Sequence, residues 1–505
     1  MFKKIQIGYL CLRIFNDLMT IKMSEAIRNL SPKPLWNKFA DLNAVPRPSK
    51  KETRVIQFMK DFGTSLGFET VEDEVGNVII KKPASQGMED RKAIVMQSHL
   101  DMVHQKNGDT VFDFDTQGIE MYVDGDWVRA NGTTLGADNG LGVATIMAIL
   151  DSDTIAHPAI EALFTIDEET GMTGAIGLKE GLLQGEILLN LDTEEDDEIG
   201  VGCAGGVDVT ATGSYEVVSA PAGQAYTITL KGLQGGHSGM DIIKGFGNAN
   251  KMMNRLLAAN KEIAHIASLV GGSLRNAIPR ESLVTVVVKT EDISEFVAQM
   301  EKIQFALVEE YRLLEPDLTI ETEKVATPAT VMASKDQIAF VNVVYAAYNG
   351  VFRMSPAIEG LVETSNNIAK ISVQNGALKI ECLTRSSVDS SKNDMAATLT
   401  AVFELAGYTV DCSGHYPGWA PNMDSPILKV LEELYIAMNG EKPNVAACHA
   451  GLECGILGQN YPAMDMISFG PTIKGAHSPD ERASISSAQK YWKFVLEILK
   501  NIPVK

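Results

Sequence analysis

Three stretches of the chain share one pattern, a dense apolar run that ends in polar or charged residues: KAIVMQSHLD (92–101), EALFTIDEE (161–169) and GEILLNLD (185–192). Apolar runs without alternation suit strands buried on both faces, as in parallel sheets. Between the first two, NGLGVATIMAIL (139–150) carries no charge and predicts a helix, with Asp138 in the N-cap position. The pattern changes near residue 207. YTITLKG (226–232), ESLVTVVVKT (281–290) and LTIETE (318–323) alternate with period two, which predicts strands with one solvated face. Helical stretches at 246–264 and 291–313 separate them, and 368–387 predicts a hairpin turning at Asn375-Gly376. A helix at 391–406 and a strand at 408–414 follow, so strand–helix–strand occurs twice, at 281–323 and 377–414. After about 415 the first style returns, with a helix in SPILKVLEELYIAMNG, a dense strand in MDMISFGP and a closing amphipathic helix in SAQKYWKFVLEILKN.

The expected fold is therefore α/β, a mixed sheet with helices on both faces, interrupted by an inserted α+β domain with two similar halves. Residues 1–32 read as an N-terminal extension, 33–207 and 415–505 as two parts of one domain, and 208–414 as the insert.

Composition narrows the function. The chain has 505 residues, 45% hydrophobic and 22% charged, as in water-soluble globular proteins of more than one domain. A formal net charge of -21 disfavours nucleic acid, whose phosphates require clustered Lys and Arg. Six scattered cysteines without a CxxC pair read as reduced thiols. The first 22 residues are interrupted by Arg13, Asn16 and Asp17 and show no small-residue cleavage site, so they read as an extension ahead of Met23. No segment reaches the ~20 apolar residues of a membrane span. A cytoplasmic protein with no membrane partner is expected.

The polar residues then converge on one edge. His99 and Asp101 end the first apolar run, Asp167, Glu168 and Glu169 the second, and Asp192 the third, while His477 follows MDMISFGP in TIKGAHSPD. Open α/β sheets place ligand sites outside the carboxyl ends of their strands. Two imidazoles among carboxylates suit zinc or another divalent first-row ion. His99, Asp138, Glu169, Asp192 and His477 suffice for two such ions if one carboxylate bridges, and Asp138 is the best bridge by type and position. Two close ions activate a shared water and polarise a carbonyl, and Glu168 is suited to take the proton as general base. Asp101 is suited to receive the other N–H of His99 and fix its ring. The run Glu194–Glu198 reads as solvated charge, and Asp167 as a structural residue or one that supports the ligands from behind.

The motifs SHLDMV, GADNGLGVA, IDEETGMTGA, LNLDTEE, GGHSGMD and GAHSPDE occur in this order. Together they resemble the co-catalytic zinc aminoacylase and carboxypeptidase-like metallopeptidases, specifically their aminoacyl-histidine dipeptidase branch. The resemblance implies that His99 and Asp192 bind one zinc, Glu169 and His477 the other, and that Asp138 bridges them. It makes Glu168 the general base and Asp101 the residue behind the first histidine. It further implies that the insert is a lid and that His237 in GGHSG stabilises the oxyanion, although by sequence that histidine is only flanked by glycines. Arg385 in CLTRSS resembles the arginine that receives the substrate carboxylate, and Asn276 in RNAIP a further polar contact. His104, His157, His265, His415 and His449 match no ligand position. The implied activity is hydrolysis of unblocked dipeptides, Xaa-His such as β-alanyl-histidine, with zinc first and manganese or cobalt as alternatives. The implied assembly is a monomer or homodimer. The rivals are an amidase of N-acyl amino acids on the same metal core and a non-catalytic binding protein.

Overall fold

The computed structural model describes residues 25–505, so the extension expected over 1–22 lies outside the described residues. Two compact units divide the described chain. The first comprises residues 25–201, 422–446 and 456–505, and the second residues 202–421 and 447–455.

The first unit is built on a mixed sheet. Six of its eight strands run in the order Glu69–Glu72, Val78–Lys82, Ile160–Thr165, Ile94–His99, Ile187–Asn190 and Asp465–Ser468. The last four are parallel neighbours, and the first two pair antiparallel. Ile94–His99, Ile160–Thr165 and Ile187–Asn190 are buried at every position, which is why they lack alternation. Helix Ala137–Leu150 is buried from Asn139 to Leu150, and helix Lys33–Asn43 lies against it, with the Phe39 ring beside Gly140. A helix that is apolar all round has no solvent face to offer. Ahead of these elements, Ile27 is fully buried and Arg28 pairs with Asp41 at 2.7 Å.

The second unit carries a long antiparallel sheet. Eight of its nine strands are β1 (Gly205–Ser214), β2 (Gly223–Lys231), β3 (Ala264–Gly271), β4 (Ser282–Lys289), β5 (Thr319–Val325), β6 (Val362–Gln374), β7 (Ala377–Ser386) and β8 (Thr409–Tyr416), and Gly350–Met354 pairs with β6 beside this path. In space they run β5-β2-β4-β3-β6-β7-β1-β8. Each half therefore repeats one four-strand order, mirrored about the β3–β6 pair, and each half carries two helices. The first half's helices are Ala249–Ala259 and Ile293–Tyr311, and the second half's are Ser334–Ala346 and Asp389–Leu405. The halves are nested: β1 belongs to the second half but precedes the first in the chain. A short ladder, Val217–Ser219 with Thr330–Met332, ties together the points where the chain enters and leaves the nested half. The hairpin turns at Asn375-Gly376 as expected, with Gln374 opposite Ala377.

Candidate metal centre and donor pocket

His99 is the last residue of its strand, Glu168 and Glu169 follow Ile160–Thr165, and Asp192 follows Ile187–Asn190. Parallel neighbours end on one edge, so the sheet gathers these side chains without any local sequence signal between them. Asp138 and His477 complete the group. Asp138 Oδ1 lies 3.3 Å from His99 Nε2, and its Oδ2 lies 3.2 Å from His477 Nε2. Glu169 Oε2 stands 3.0 Å from His477 Nε2, and Asp192 Oδ1 stands 3.5 Å from His99 Nε2. The five residues thus sort into two sets that share Asp138, one oxygen to each set.

Asp101 stands behind this group. Its Oδ1 lies 3.3 Å from His99 Nδ1, so the Nε2 of that ring is turned toward Asp138 and Asp192. The same carboxylate accepts from the backbone N–H of Glu168 at 3.0 Å and of Glu169 at 3.3 Å. One buried acid therefore fixes an imidazole and the backbone of the neighbouring Glu pair.

The expected N-cap role of Asp138 is corrected. Asp138 has the extended backbone usual for an N-cap residue, φ -82° and ψ 110°, but its side chain caps no backbone N–H. Its oxygens face the histidines instead. Glu481 takes the capping task from a distant segment, accepting from Leu135 N at 2.7 Å, Gly136 N at 3.0 Å, Ala137 N at 2.7 Å and Asp138 N at 3.3 Å.

The electrostatics are those of a cation site. Burial alone would lower the pKa of His99, but the Asp192 charge and hydrogen bonds to Asp101 and Asp138 outweigh it and hold the ring well above its ordinary value. Hydrogen bonds to Asp138 and Glu169 push His477 up to about 11, although its side chain is 56% exposed. Burial raises Asp192 to about 6. Glu169 Oε1 is buried without a hydrogen-bond donor, and buried Asp192 Oδ1 has only His99 Nε2, at 3.5 Å. Such oxygens are costly unless something positive meets them. The donor set, imidazole nitrogen and carboxylate oxygen without sulfur, fits two divalent first-row ions.

The second unit holds a different cluster. His237 lies on a short strand, Gly236–His237, paired with Ala277–Ile278. Its Nδ1 accepts from Gly239 N at 3.3 Å and Met240 N at 3.2 Å, so the proton of the neutral ring is on Nε2. Burial, then the charge of Arg385, lower its pKa to about 4. Arg385 Nη2 lies 3.4 Å from that Nε2. Two donors facing each other call for an oxygen acceptor in common. Arg385 is no surface residue: it is 4% exposed, donates to Tyr416 Oη at 2.8 Å and Ser238 Oγ at 3.3 Å, and has no ion-pair partner among the described residues. Asn276 is exposed and joins this cluster through its backbone, its carbonyl accepting from Ser238 N at 2.8 Å.

Sequence reasoning missed four residues. His449, set aside above, is 5% exposed and bonds Ser365 Oγ through Nε2 at 2.8 Å. Burial, then Arg385 and His237, push it down to about 3. Arg47 donates to the carbonyls of Leu100, Asp101 and Gly136 at 3.1, 3.0 and 2.6 Å. Glu52 accepts from Asp167 N at 3.2 Å and supports the turn that presents the Glu pair. Glu481 is the fourth, and its place four residues after His477 in GAHSPDE was the only available signal. The acidic run 194–198 is also corrected. Asp196 pairs with Lys490 at 2.9 Å, Glu195 pairs with Lys474, and only Asp197 is exposed.

A sequence model of Peptidase family M20/M25/M40 matches residues 95–501. The cytosol non-specific dipeptidase of Escherichia coli is 43% identical over 486 residues, which is 96% of this chain and 100% of that one. The crystal structure of aminoacylhistidine dipeptidase from Vibrio alginolyticus is similar with a TM-score of 0.89 and 47% identity, covering 95% of this chain and 98% of that one. Aminopeptidase PepT from Bacillus cereus, 16% identical with a TM-score of 0.55 over 94% and 99% of the two chains, shares the fold.

Proposed function

This chain belongs to peptidase family M20/M25/M40, and from that premise we propose that it is a dinuclear metallodipeptidase acting on unblocked dipeptides. The observation that carries the reading is Asp138, whose two oxygens face two histidines at 3.3 and 3.2 Å. His99 and Asp192 would hold one ion, Glu169 and His477 the other, and Asp138 both. Zinc is the first choice, and manganese or cobalt suit the same donors. Bound there, two divalent ions lower the pKa of water and polarise the scissile carbonyl.

Glu168 takes the proton of the attacking water as its oxygen bonds to the peptide carbon. When the carbon–nitrogen bond breaks, Glu168 returns that proton to the leaving amine. Asp101 keeps the His99 ring in place and, through two backbone hydrogen bonds, the Glu168-Glu169 backbone. His237 donates its Nε2–H to the carbonyl oxygen as negative charge develops there. Arg385 receives the terminal carboxylate, for which a buried guanidinium without an acid partner is suited. Asn276 supplies a further polar contact.

The names of the two similar proteins differ in breadth, one non-specific and one aminoacylhistidine, and both fit a dipeptide carboxylate on Arg385. We keep Xaa-His, β-alanyl-histidine included, within the substrate class. The Escherichia coli protein is named for the cytosol, and we place this chain there as well. No described helix is long and apolar enough to cross a membrane.

The test is hydrolysis by the apo protein reconstituted with Zn2+, Mn2+ or Co2+ over a panel of Xaa-His and Xaa-Xaa dipeptides and N-acetyl amino acids. Metal-dependent cleavage of dipeptides is expected. Preference for N-acetyl amino acids would make it a deacylase, and no cleavage with any ion would make it a binding protein.

A further inference from the structure

Asp138 stands at the start of its helix with an extended backbone, and its side chain is turned to the histidines and not to the helix's own N–H groups. Something else must set its posture. Glu481 is 2% exposed, and its two oxygens accept from the four consecutive N–H groups of residues 135–138. Both oxygens are thereby used on backbone, so Glu481 is not itself a sixth ligand. Arg47, also 2% exposed, grips the same segment through the Gly136 carbonyl at 2.6 Å. A buried anion thus holds the N–H groups of this segment while a buried cation holds a carbonyl. The fit is close: a Cβ at Gly136 or Gly140 would stand 2.6 Å from Arg47 Nη2.

The other end of the link is His477. That residue has φ 64°, and the turn after it is closed by Ser478, whose carbonyl accepts from Glu481 N at 3.0 Å and whose Oγ accepts from Asp480 N at 3.2 Å. Glu481 therefore joins the segment carrying His477 to the segment carrying Asp138. We infer that Glu481 is a positioning residue of the metal centre: it fixes Asp138 so that one oxygen faces each histidine, and so sets the affinity for both ions. This rests on the dinuclear reading above. Residues that orient ligands typically change metal affinity by about 10–100-fold when replaced.

Glu481→Gln keeps the volume but presents an amide N–H₂ to backbone donors, so half of the grip is lost. Apo protein is titrated calorimetrically with Zn2+ alone and with Co2+ alone, and the visible spectrum of the Co2+ form is recorded. The expected result is affinity about 10–100-fold weaker for the variant, with a changed Co2+ spectrum. At saturating Zn2+, its KM for a dipeptide stays within about twofold of wild type, since no substrate contact is lost. Asp480→Asn, at an exposed neighbour, should titrate as wild type. Should Glu481→Gln fail to fold by circular dichroism, Glu481→Asp takes its place in the same titration. Wild-type affinity and spectrum in the folded variant would overturn the positioning role and leave the dinuclear reading standing. A wild-type protein that binds no divalent ion would overturn both.

Discussion

At the scale of single residues, what matters is which group each charge faces. Arg385 is buried beside neutral hydroxyls and an imidazole, with no acid among the described residues within ion-pair distance, so it is suited to receive an anion. Lysine cannot reproduce a planar two-point grip. Arg385→Lys should therefore raise KM for dipeptides by about tenfold or more with a smaller effect on kcat. Wild type should show a comparable loss on dipeptide amides, which lack the carboxylate; steady-state kinetics on matched acids and amides checks both. His449 gives a pH prediction. Its folded pKa, about 3, lies below the unfolded value near 6.5, so the unfolded chain binds more protons between these values. Its contribution to stability is full above about pH 6.5 and is lost as pH falls toward 3. The groups that oppose its charging are Arg385 and His237. His449→Gln should flatten the fall in melting temperature between about pH 6 and 4, where wild type falls more steeply. The sequence made the strand-end acids and histidines legible because apolar runs point to them. His449 was not legible, because its partners Ser365 and Arg385 are distant in the chain.

Among elements, the start of helix Ala137–Leu150 is where local rules give way. A charge-free apolar stretch marked the helix, but the position that reads as its cap is turned to two histidines. The vacated capping task went to Glu481, 343–346 residues away, and no periodicity encodes a contact of that separation. Gly136 shows how tight the arrangement is, with φ 68° and Arg47 Nη2 within 2.6 Å of a would-be Cβ. Gly67 has φ 75° and nothing within 4 Å. Gly67→Ala should cost about 1 kcal/mol from backbone strain alone. Gly136→Ala should cost more, by about 1–3 kcal/mol for crowding a packed site, and should weaken Zn2+ binding where Gly67→Ala does not. Denaturant midpoints and Zn2+ titrations of the two variants separate strain from crowding.

For the whole molecule, the informative feature is the doubling of the second unit. Strands β2, β4, β5 and β8, the hairpin and three of the four helices were readable from a period of two or 3.6, whereas helix Ser334–Ala346 and strands β1 and β3 were not. The nesting was not, because it depends on β1 pairing with β7 and β8 163–210 residues later. Its consequence concerns where the donor pocket is made. His237 belongs to the stretch between β2 and β3 in the first half, and Arg385 lies on β7 in the second, yet Arg385 Nη2 and His237 Nε2 are 3.4 Å apart in one chain. The two halves also pair directly through β3 and β6, with Leu269 opposite Val373. No second chain is needed to assemble the histidine–arginine pair, and mixing variants tells whether that pair serves the metal centre of its own polypeptide. Glu168→Gln and His237→Ala should each lower kcat by about 10²-fold or more, the first by loss of the base and the second by loss of an oxyanion donor. If the histidine acts within its own chain, mixing the two variants, with unfolding and refolding together to allow exchange, restores no activity. Recovery toward one quarter of the wild-type rate, roughly the share of composite sites expected from random pairing in a dimer, would show that it acts across chains.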